Sequence, residues 1–392
     1  MKRLFFLLAL FVCLASANGQ EPMGTLIDRQ FKFAEQQYRL LAQNTPENRM
    51  PKTYYPQTKK WESSDTQWWC SGFYPGSLLY IYEYTKNPAT LTEAKKRLAI
   101  LEKEKHYTGN HDLGFMMFCS FGNAYRITGN EQYKPTIDTA AASLITRYRP
   151  AAKVIQSWNS GKTWKGPVII DNLMNLELLL WVSAHGGDAK YRKIALNHAN
   201  TTMKNHFRPD YSSYHVVDYD MATGKVIRKG TSQGAADSSA WSRGQAWALY
   251  GYTMLYRFTK EKKYLDFAEN IAGFILKNPS MPKDLVPYWD FDAPKIPNTY
   301  RDASAAAVTA SALLELGQFS NEKKQALYKS SAEQMLRSLS SSAYTASKGA
   351  NGGFILMHST GALPLKSEID VPLSYADYYY LEALTRYKNW YL

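Results

Sequence analysis

Apolar residues recur at helical spacing in one segment after another along the chain. In the run that begins at Tyr74, the residues Leu78, Ile81 and Tyr82 follow at positions i+4, i+7 and i+8. Sustained alternation of apolar and polar residues, which would indicate strands, is rare. The pattern therefore predicts an all-α chain with about twelve helices. They are expected near residues 26–43, 70–86, 90–105, 112–128, 132–148, 168–184, 188–207, 240–259, 262–277, 302–317, 323–340 and 373–389.

Three of the predicted helices end in a similar sequence motif, which we call the helix-end motif. Residues 82–87 read YEYTKN, residues 125–130 read YRITGN and residues 256–261 read YRFTKE. Each helix-end motif is followed within a few residues by another amphipathic helix, so the chain is predicted to consist of about six helical hairpins. Short turns alternate with long polar connections. The long connections are expected near residues 44–69, 149–167, 208–239, 278–301 and 341–372.

The arrangement of the hairpins has two possible forms. A closed ring would collect the long connections on one rim, and long ordered loops on a rigid scaffold are where functional sites usually lie. An open solenoid is the alternative, and its end helices normally carry polar outer faces. The last predicted helix, from Tyr375 to Tyr387, is too apolar for such a cap. We therefore favour a closed ring, in a single domain because no stretch resembles a linker.

Residues 1–17 have the form of a cleaved secretory signal peptide. The basic residues Lys2 and Arg3 precede an apolar run that ends in the A-x-A pattern at residues 15–17. No later stretch reaches the roughly 18 uninterrupted apolar residues that a membrane span needs. The expected mature protein, residues 18–392, is therefore periplasmic or secreted and has no membrane span. It keeps Cys70 and Cys119, which are either paired or free.

The chain carries a formal net charge of +13 and loses two positive charges with the signal peptide. An acidic partner is expected. Nucleic acid is disfavoured because Lys and Arg are dispersed along the chain and because export argues against it. A secreted anionic polysaccharide fragment fits better, and the 29 Tyr and 10 Trp suit a cleft that stacks sugar rings. The alternative is that the charge serves solubility alone.

Several kinds of chemistry are excluded by missing motifs. The seven histidines form no H-E-x-x-H motif and no close pair, so a zinc site is not expected. The sequence contains no G-x-G-x-x-G loop, no Walker loop and no nucleophile elbow. No metal and no cofactor are therefore expected, and carboxylates are the candidates for catalysis.

Two aspartates are the candidate acids. Asp171 lies in the apolar run VIIDNLMNLELLLW and would share a helical face with Asn175. Burial there would raise its pKa and keep a proton available, as a general acid requires. The alternative is a structural aspartate that accepts hydrogen bonds from the backbone. Asp112 would open a helix after Gly109-Asn110, as a second functional acid or as an N-cap.

An arginine and five aromatic or polar residues are candidates for binding. Arg243 and Trp247 are i and i+4 neighbours on one predicted helix face, which suits a sugar ring that carries a carboxylate. The alternative is surface stacking without a ligand. Weaker candidates lie on or beside the long loops, and a single histidine is more often a hydrogen-bonding residue than a catalyst. They are Trp69, Trp158, His215 and Gln233.

Nine motifs follow one another along the chain, beginning at Trp69 (WCSGF), His111 (HDLGF), Ile170 (IDNLMN), Tyr214 (YH), Ser232 (SQG), Trp241 (WSRGQAW), Pro287 (PYWDFDAP), Asp302 (DASAAA) and Ala376 (ADYYYLEA). Taken together in this order, they resemble the unsaturated glucuronyl hydrolases, glycoside hydrolase family 88. The resemblance spans nearly the whole mature chain and implies an (α/α)6 barrel. The hydrolases that remove unsaturated galacturonate from rhamnogalacturonan share that fold and the paired aspartates.

The resemblance also implies a mechanism. A polysaccharide lyase leaves a C4=C5 double bond in the terminal uronic acid; protonation at C4 and hydration at C5 give a hemiketal that opens and releases the next sugar. Asp171 resembles the residue that protonates C4 and then activates water, and Asp112 resembles its partner. The implied polar contacts to the sugar are His215, Gln233 and Arg243, and the implied stacking residues are Trp69, Trp158 and Trp247.

One part of the family pattern is missing. Family members often hold the uronate carboxylate through serines in a C-terminal loop, but residues 358–374 do not reproduce that arrangement. Lys366 and Ser367 are the candidates in this stretch.

The sequence therefore favours a hydrolase for anionic, lyase-made unsaturated oligosaccharides, with glycosaminoglycan disaccharides first. An unsaturated rhamnogalacturonyl hydrolase and an ordinary glycosidase on the same barrel are alternatives. A non-catalytic carbohydrate-binding helical protein is a third alternative. It would need no buried acid at Asp171, so the environment of that residue separates the non-catalytic protein from the enzymes.

Overall fold

The helical prediction is confirmed by a computed structural model that describes residues 20–392. The expected signal peptide, residues 1–17, lies outside the described residues. All twelve predicted helices are present, and most of their ends fall within a few residues of the expected positions. The helices are α1 (Met23–Asn44), α2 (Phe73–Thr85), α3 (Pro88–Leu101), α4 (Asn123–Thr128), α5 (Lys134–Ile145), α6 (Asn172–Ala184), α7 (Ala189–Asn205), α8 (Ser242–Thr259), α9 (Lys262–Lys277), α10 (Ala303–Gly317), α11 (Glu322–Leu339) and α12 (Ser374–Tyr391). A π-helix, Gly114–Gly122, runs directly into α4.

The helices form a closed double ring. The inner ring consists of α2, the π-helix with α4, α6, α8, α10 and α12, and the outer helices alternate with them along the chain. The last helix, α12, packs against both α10 and α2, which closes the ring. Its tyrosines Tyr375, Tyr379 and Tyr380 are buried in the interior. This burial explains why the final helix is so apolar, and it confirms the closed form over the solenoid.

The helix-end motif lies at the C-terminal ends of three inner helices. Helices α2, α4 and α8 are each followed by a residue in the left-handed conformation: Lys86 (φ 57°), Gly129 (φ 65°) and Lys260 (φ 58°). The backbone N–H of each of these residues donates to the carbonyl of the tyrosine that begins the motif. The shared sequence therefore encodes one type of helix end, after which the chain turns into an outer helix.

The long connections contain short strands that the sequence did not predict. Most are two to five residues long, too short for an alternating pattern to stand out. All pairings are antiparallel: β1–β2, β3–β4, β5–β6–β7 and β8–β9. The strands are β1 (Met50–Tyr55), β2 (Lys60–Ser64), β3 (Tyr148–Arg149), β4 (Val154–Ile155), β5 (Pro167–Ile169), β6 (Val216–Tyr219), β7 (Val226–Gly230), β8 (Ser359–Ala362) and β9 (Ser367–Val371).

One predicted helix boundary is wrong in a way that affects the site. The helix expected from residue 168 begins at Asn172, because Val168 and Ile169 belong to β5, where Val168 pairs with Val217 of β6. Three consecutive β-branched residues at 168–170 favour a strand over a helix start. Asp171 therefore lies at the junction between a strand and a helix instead of inside the helix.

A chain of ion pairs joins four inner helices through residues in their middle and C-terminal parts. Glu177 of α6 contacts Arg257 of α8 (2.6 Å), and Arg257 contacts Glu315 of α10 (2.9 Å). Arg386 of α12 then contacts Glu315 (3.1 Å) and Glu382 (3.6 Å). Positive and negative groups alternate, so each carboxylate is paired, as buried charges require. This chain fixes the end of the barrel away from the long loops.

Two smaller questions from the sequence are also answered. Cys70 and Cys119 are both free, so they are not paired with each other. Within residues 20–392, no helix combines the length and the apolar character that crossing a membrane requires.

Candidate active site

A cavity of about 190 Å³ lies where the inner helices begin and the long loops meet. Six of the eight residues predicted for the site line it. His215 and Trp247 do not line it and lie behind its wall. The lining residues are Trp69, Asn110, His111, Asp112, Ser157, Trp158, Ile169, Asp171, Gln233, Trp241 and Arg243.

Backbone hydrogen bonds fix the segments that carry the two acids. Ser157 accepts one bond from the N–H of His111 on its carbonyl (3.0 Å) and another from the N–H of Ile169 on its hydroxyl (2.9 Å). The N–H of Ile170 donates to the carbonyl of His215 (3.0 Å). Ser157 therefore holds the segments before Asp112 and Asp171 in a fixed relation, and the second segment is tied to His215.

Asp112 faces the cavity and does not cap a helix. The π-helix begins after Leu113 without a side-chain cap, and within residues 20–392 no backbone N–H donates to the Asp112 carboxylate. The backbone N–H of Asp112 donates to Asn110 Oδ1 (2.9 Å), and its Oδ1 lies 3.3 Å from His111 Nε2. Its side chain is 14% exposed. The N-cap explanation of this residue is therefore wrong.

Asp171 is more deeply placed, with a side chain that is 10% exposed. It stands just before α6 but makes no side-chain cap to that helix, and its buried Oδ2 has no hydrogen-bond partner among the described residues. Asn175, expected on the same face, has another role: its Oδ1 accepts from the N–H of Phe115 (2.9 Å) and fastens α6 to the π-helix. The alternative of an Asp171 carboxylate satisfied by the backbone of α6 is not what the structure shows.

The pKa values of both acids are raised. Burial raises the pKa of Asp171 to about 7, opposed by the positive charge of Arg243. Burial raises the pKa of Asp112 to about 8; the negative charge of Asp171 raises it further, and Arg147 opposes this. Since two neighbouring carboxyls resist joint ionisation, the pair retains a proton near neutral pH.

His215 is neutral and has a defined tautomer. Burial lowers its pKa to about 3, and the charge of Arg243 lowers it further. Its Nδ1 accepts from the backbone N–H groups of Ser232 (3.0 Å) and Gln233 (3.2 Å). The ring proton of the neutral imidazole is therefore on Nε2, which lies 3.7 Å from Asp171 Oδ2. His215 presents a hydrogen-bond donor to Asp171.

Arg243 is buried against protein partners, so it is not a surface stacking residue. Its Nη1 lies 2.7 Å from Asp302 Oδ2, and its guanidinium also donates to the carbonyls of Thr360 (2.7 Å) and Gly361 (2.5 Å). One face lies over the ring of Trp241, 4.5 Å from the ring centre. The guanidinium keeps an edge on the cavity while Asp302 balances its charge.

The predicted group of stacking tryptophans needs one correction. Trp69 and Trp158 are partly exposed on the cavity wall, as expected. Trp247 is fully buried (0% exposed), between Phe115 and Tyr379. It lies one helical turn after Arg243, and this turn of α8 is deeper inside the ring. Trp241, in the same motif but not selected from the sequence, lines the cavity instead. The sequence could have indicated this, because Trp241 immediately precedes α8 and helix starts lie on the rim that carries the long loops.

The C-terminal loop also differs from expectation. Neither Lys366 nor Ser367 lines the cavity, and Lys366 is exposed at the turn between β8 and β9. Gln233 does line it and donates from Nε2 to the carbonyl of Gly361 (3.2 Å). The loop therefore meets the site through the backbone of β8. Within residues 20–392, no group of three or more His, Cys, Asp or Glu side chains could hold a metal ion.

Comparison with known proteins agrees with this geometry. The model of Glycosyl Hydrolase Family 88 matches residues 41–391. An unsaturated glucuronyl hydrolase of Formosa agariphila is 48% identical over 82% of this chain and 80% of its own. The crystal structure of an unsaturated glucuronyl hydrolase specific for heparin superimposes with a TM-score of 0.90 and 47% identity, covering 93% of this chain and 97% of that one.

A further solved structure carries a ligand. It is an aspartate-to-asparagine mutant of the unsaturated glucuronyl hydrolase of Streptococcus agalactiae, complexed with dGlcA-GalNAc6S. It superimposes with a TM-score of 0.80 and 29% identity, covering 93% of this chain and 92% of that one. With the family model matching almost the entire described chain and the paired acids at the expected end of the barrel, this chain is an enzyme of glycoside hydrolase family 88.

Proposed function

We propose that this enzyme removes the Δ4,5-unsaturated uronic acid from the non-reducing end of lyase-generated oligosaccharides. The observation that carries the proposal is the pair of partly buried acids, Asp112 and Asp171, whose raised pKa values leave a proton available at neutral pH. A vinyl ether needs a proton donor of this kind before it can take up water. The similar proteins named for heparin and complexed with dGlcA-GalNAc6S support glycosaminoglycan disaccharides as the substrate class.

In this proposal the proton of Asp171 passes to C4 of the unsaturated ring. The Asp171 carboxylate then takes a proton from water as the water oxygen bonds to C5, which restores the acid. The resulting hemiketal opens and releases the attached sugar. The Nε2–H of His215 faces Asp171 Oδ2 and stabilises the transient carboxylate. Asp112, whose pKa the charge of Asp171 raises further, stays protonated beside the ionised Asp171 and adds no second negative charge to the site.

The remaining predicted residues are assigned to substrate binding. Trp69 and Trp158 provide partly exposed aromatic faces for the sugar rings. Gln233 and Arg243 also line the cavity and carry hydrogen-bond donors, and the Nε of Arg243 has no partner among the described residues. Trp247 supports the floor from beneath, through its packing on Phe115.

We also propose that the enzyme is exported, on the basis of the signal-like pattern in residues 1–17. Protein purified from the producing cell should begin near residue 18, and intact-mass measurement checks this. Retention of the full apolar run in the purified protein would contradict export by a cleaved signal.

Replacing Asp171 by Asn should abolish turnover while leaving the fold and substrate binding largely intact, because the amide keeps the shape but cannot deliver a proton. Loss of a general acid lowers the rate by roughly 10² to 10⁴-fold. Asp112→Asn should also reduce the rate severely. The rate is measured as the loss of ultraviolet absorbance of the double bond. Near-normal turnover by Asp171→Asn would rule out the mechanism, and unchanged turnover by Asp112→Asn would remove that residue from it.

The raised pKa values also predict how stability depends on pH. A folded-state pKa above the ordinary value of 3.8 means that the folded protein binds more protons than the unfolded chain, so stability falls as pH rises from about 4 to about 8. Asp112→Asn and Asp171→Asn remove part of this loss, about 1.4 kcal/mol for each pKa unit. Both variants should therefore be more stable than the wild type at pH 8.

The measurement for this prediction is urea unfolding at pH 5 and pH 8. Asp266→Asn is the control, because Asp266 is an exposed partner of Lys262 and its carboxyl is not desolvated. Variants whose stability difference from the wild type is the same at both pH values would show that these acids are not forced to ionise in the folded protein.

The chemistry can be tested independently of the residues. Protonation at C4 takes its proton from solvent, so turnover in deuterium oxide should place deuterium on C4 of the released uronic acid product. A saturated glucuronide should be inert even if it binds, since it lacks the vinyl ether. Mass spectrometry of the product gives the label. Unlabelled C4, or comparable hydrolysis of the saturated sugar, would identify an ordinary glycosidase.

A further inference from the structure

A buried carboxylate that the proposed reaction does not use lies next to the site. Glu368, on β9, has a side chain that is 9% exposed, and its Oε1 lies 3.8 Å from the ammonium of Lys52 on β1. Its backbone is in the left-handed region (φ 54°), as are those of Lys366 (φ 52°) and Asp370 (φ 54°) on either side of it. Such conformations are uncommon for residues other than glycine, and they cluster at functional sites.

A single residue separates Glu368 from the cavity wall. A Cβ placed on Gly361 would lie 2.6 Å from Glu368 Oε2, so the carboxylate rests against the backbone of Gly361. The carbonyl of Gly361 accepts from Arg243 and from Gln233, both of which line the cavity. Burial raises the pKa of Glu368, and the positive charges of Lys52 and Arg243 oppose this. The charge of this carboxylate therefore acts on the groups that line the cavity.

Lys52 forms an ion pair with this carboxylate. Its Nζ lies between Glu368 and Glu62, 3.4 Å from Glu62 Oε2. Lys60 also contacts Glu62, but its side chain is 66% exposed, and solvent and salt screen its charge. Lys52 is therefore matched by carboxylates, although the whole chain is strongly basic.

The position of Lys52 indicates which part of the substrate it meets. Its ammonium lies 4.9 Å from the ring centre of Trp68, an exposed residue adjacent to Trp69 of the cavity wall. This places Lys52 at the rim. The unsaturated sugar is the terminal unit and must reach Asp171 at the floor, so the sugar attached to it lies toward the rim.

We propose that Glu368 is a specificity-determining residue that disfavours a sulfate group on the leaving sugar, by holding Lys52 and adding negative charge to the wall. This inference rests on the proposed function. An interface can select a partner by repelling the alternative as well as by attracting the preferred one. Removing the carboxylate frees Lys52 for an anionic substituent, and removing Lys52 leaves Glu368 unopposed. The two changes therefore act in opposite directions.

The test compares two unsaturated disaccharides that differ only in a sulfate on the leaving sugar. The readout is the ratio of kcat/KM for the sulfated to the unsulfated substrate. Glu368→Gln should raise this ratio by roughly fivefold, the size expected for one nearby charge, and Lys52→Met should lower it. Both effects should weaken as salt increases.

Asp370→Asn is the matched control. It removes the same charge two residues further along β9, but Asp370 pairs with His358 (2.6 Å) and not with Lys52, so the ratio should stay at the wild-type value. If Glu368→Gln does not fold, Lys52→Met decides alone. Unchanged ratios in folded variants, or shifts in the same direction, would overturn the inference. A wild-type enzyme that leaves the unsulfated disaccharide intact would instead refute the proposed function.

Discussion

The chemistry of the site depends on the burial of two aspartate side chains at one end of a closed helical ring. Asp171 stands at the start of α6, where the helix dipole favours a negative charge, and Arg243 is close enough to favour it as well. Both influences would lower the pKa of this carboxyl. Desolvation outweighs them, since the pKa of Asp171 is raised, and that of Asp112 is raised further by its neighbour. A loosely closed ring would admit water and lose this effect.

The balance also depends on a group that does not face the cavity. Asp302 is fully buried and lies 2.7 Å from the guanidinium of Arg243. Without this partner, the full charge of Arg243 would act on Asp171 and stabilise its ionised form. His215 contributes in the same sense, because burial keeps it neutral. It therefore offers a donor to Asp171 without adding a positive charge that would remove the proton.

The sequence predicted what depends on local periodicity and missed what depends on tertiary contacts. The twelve helices and the shared helix ends follow from spacing and capping within a few residues. Asp171 could be found because a carboxyl in an apolar run is anomalous. Trp247 was misplaced because helical spacing shows that it shares a face with Arg243, but not how deep that face lies. Lys366 was misplaced because the conformation of its loop depends on left-handed backbone positions.

Buried polar groups lie at both ends of the barrel. At the far end, the ion pairs from Glu177 to Glu382 set each charge beside an opposite one, although Arg257 Nε and Glu315 Oε2 have no hydrogen-bond partner among the described residues. At the site, Asp171 Oδ2, His215 Nε2 and Arg243 Nε are buried without hydrogen-bond partners among the described residues. Each such group costs about 1–3 kcal/mol. We propose that a bound sugar completes those of Asp171 and Arg243, which line the cavity, while His215 Nε2 faces Asp171. In the proposed reaction, the substrate supplies hydrogen bonds that folding left unmade, and the 3.7 Å gap between His215 and Asp171 shortens as charge develops on the acid.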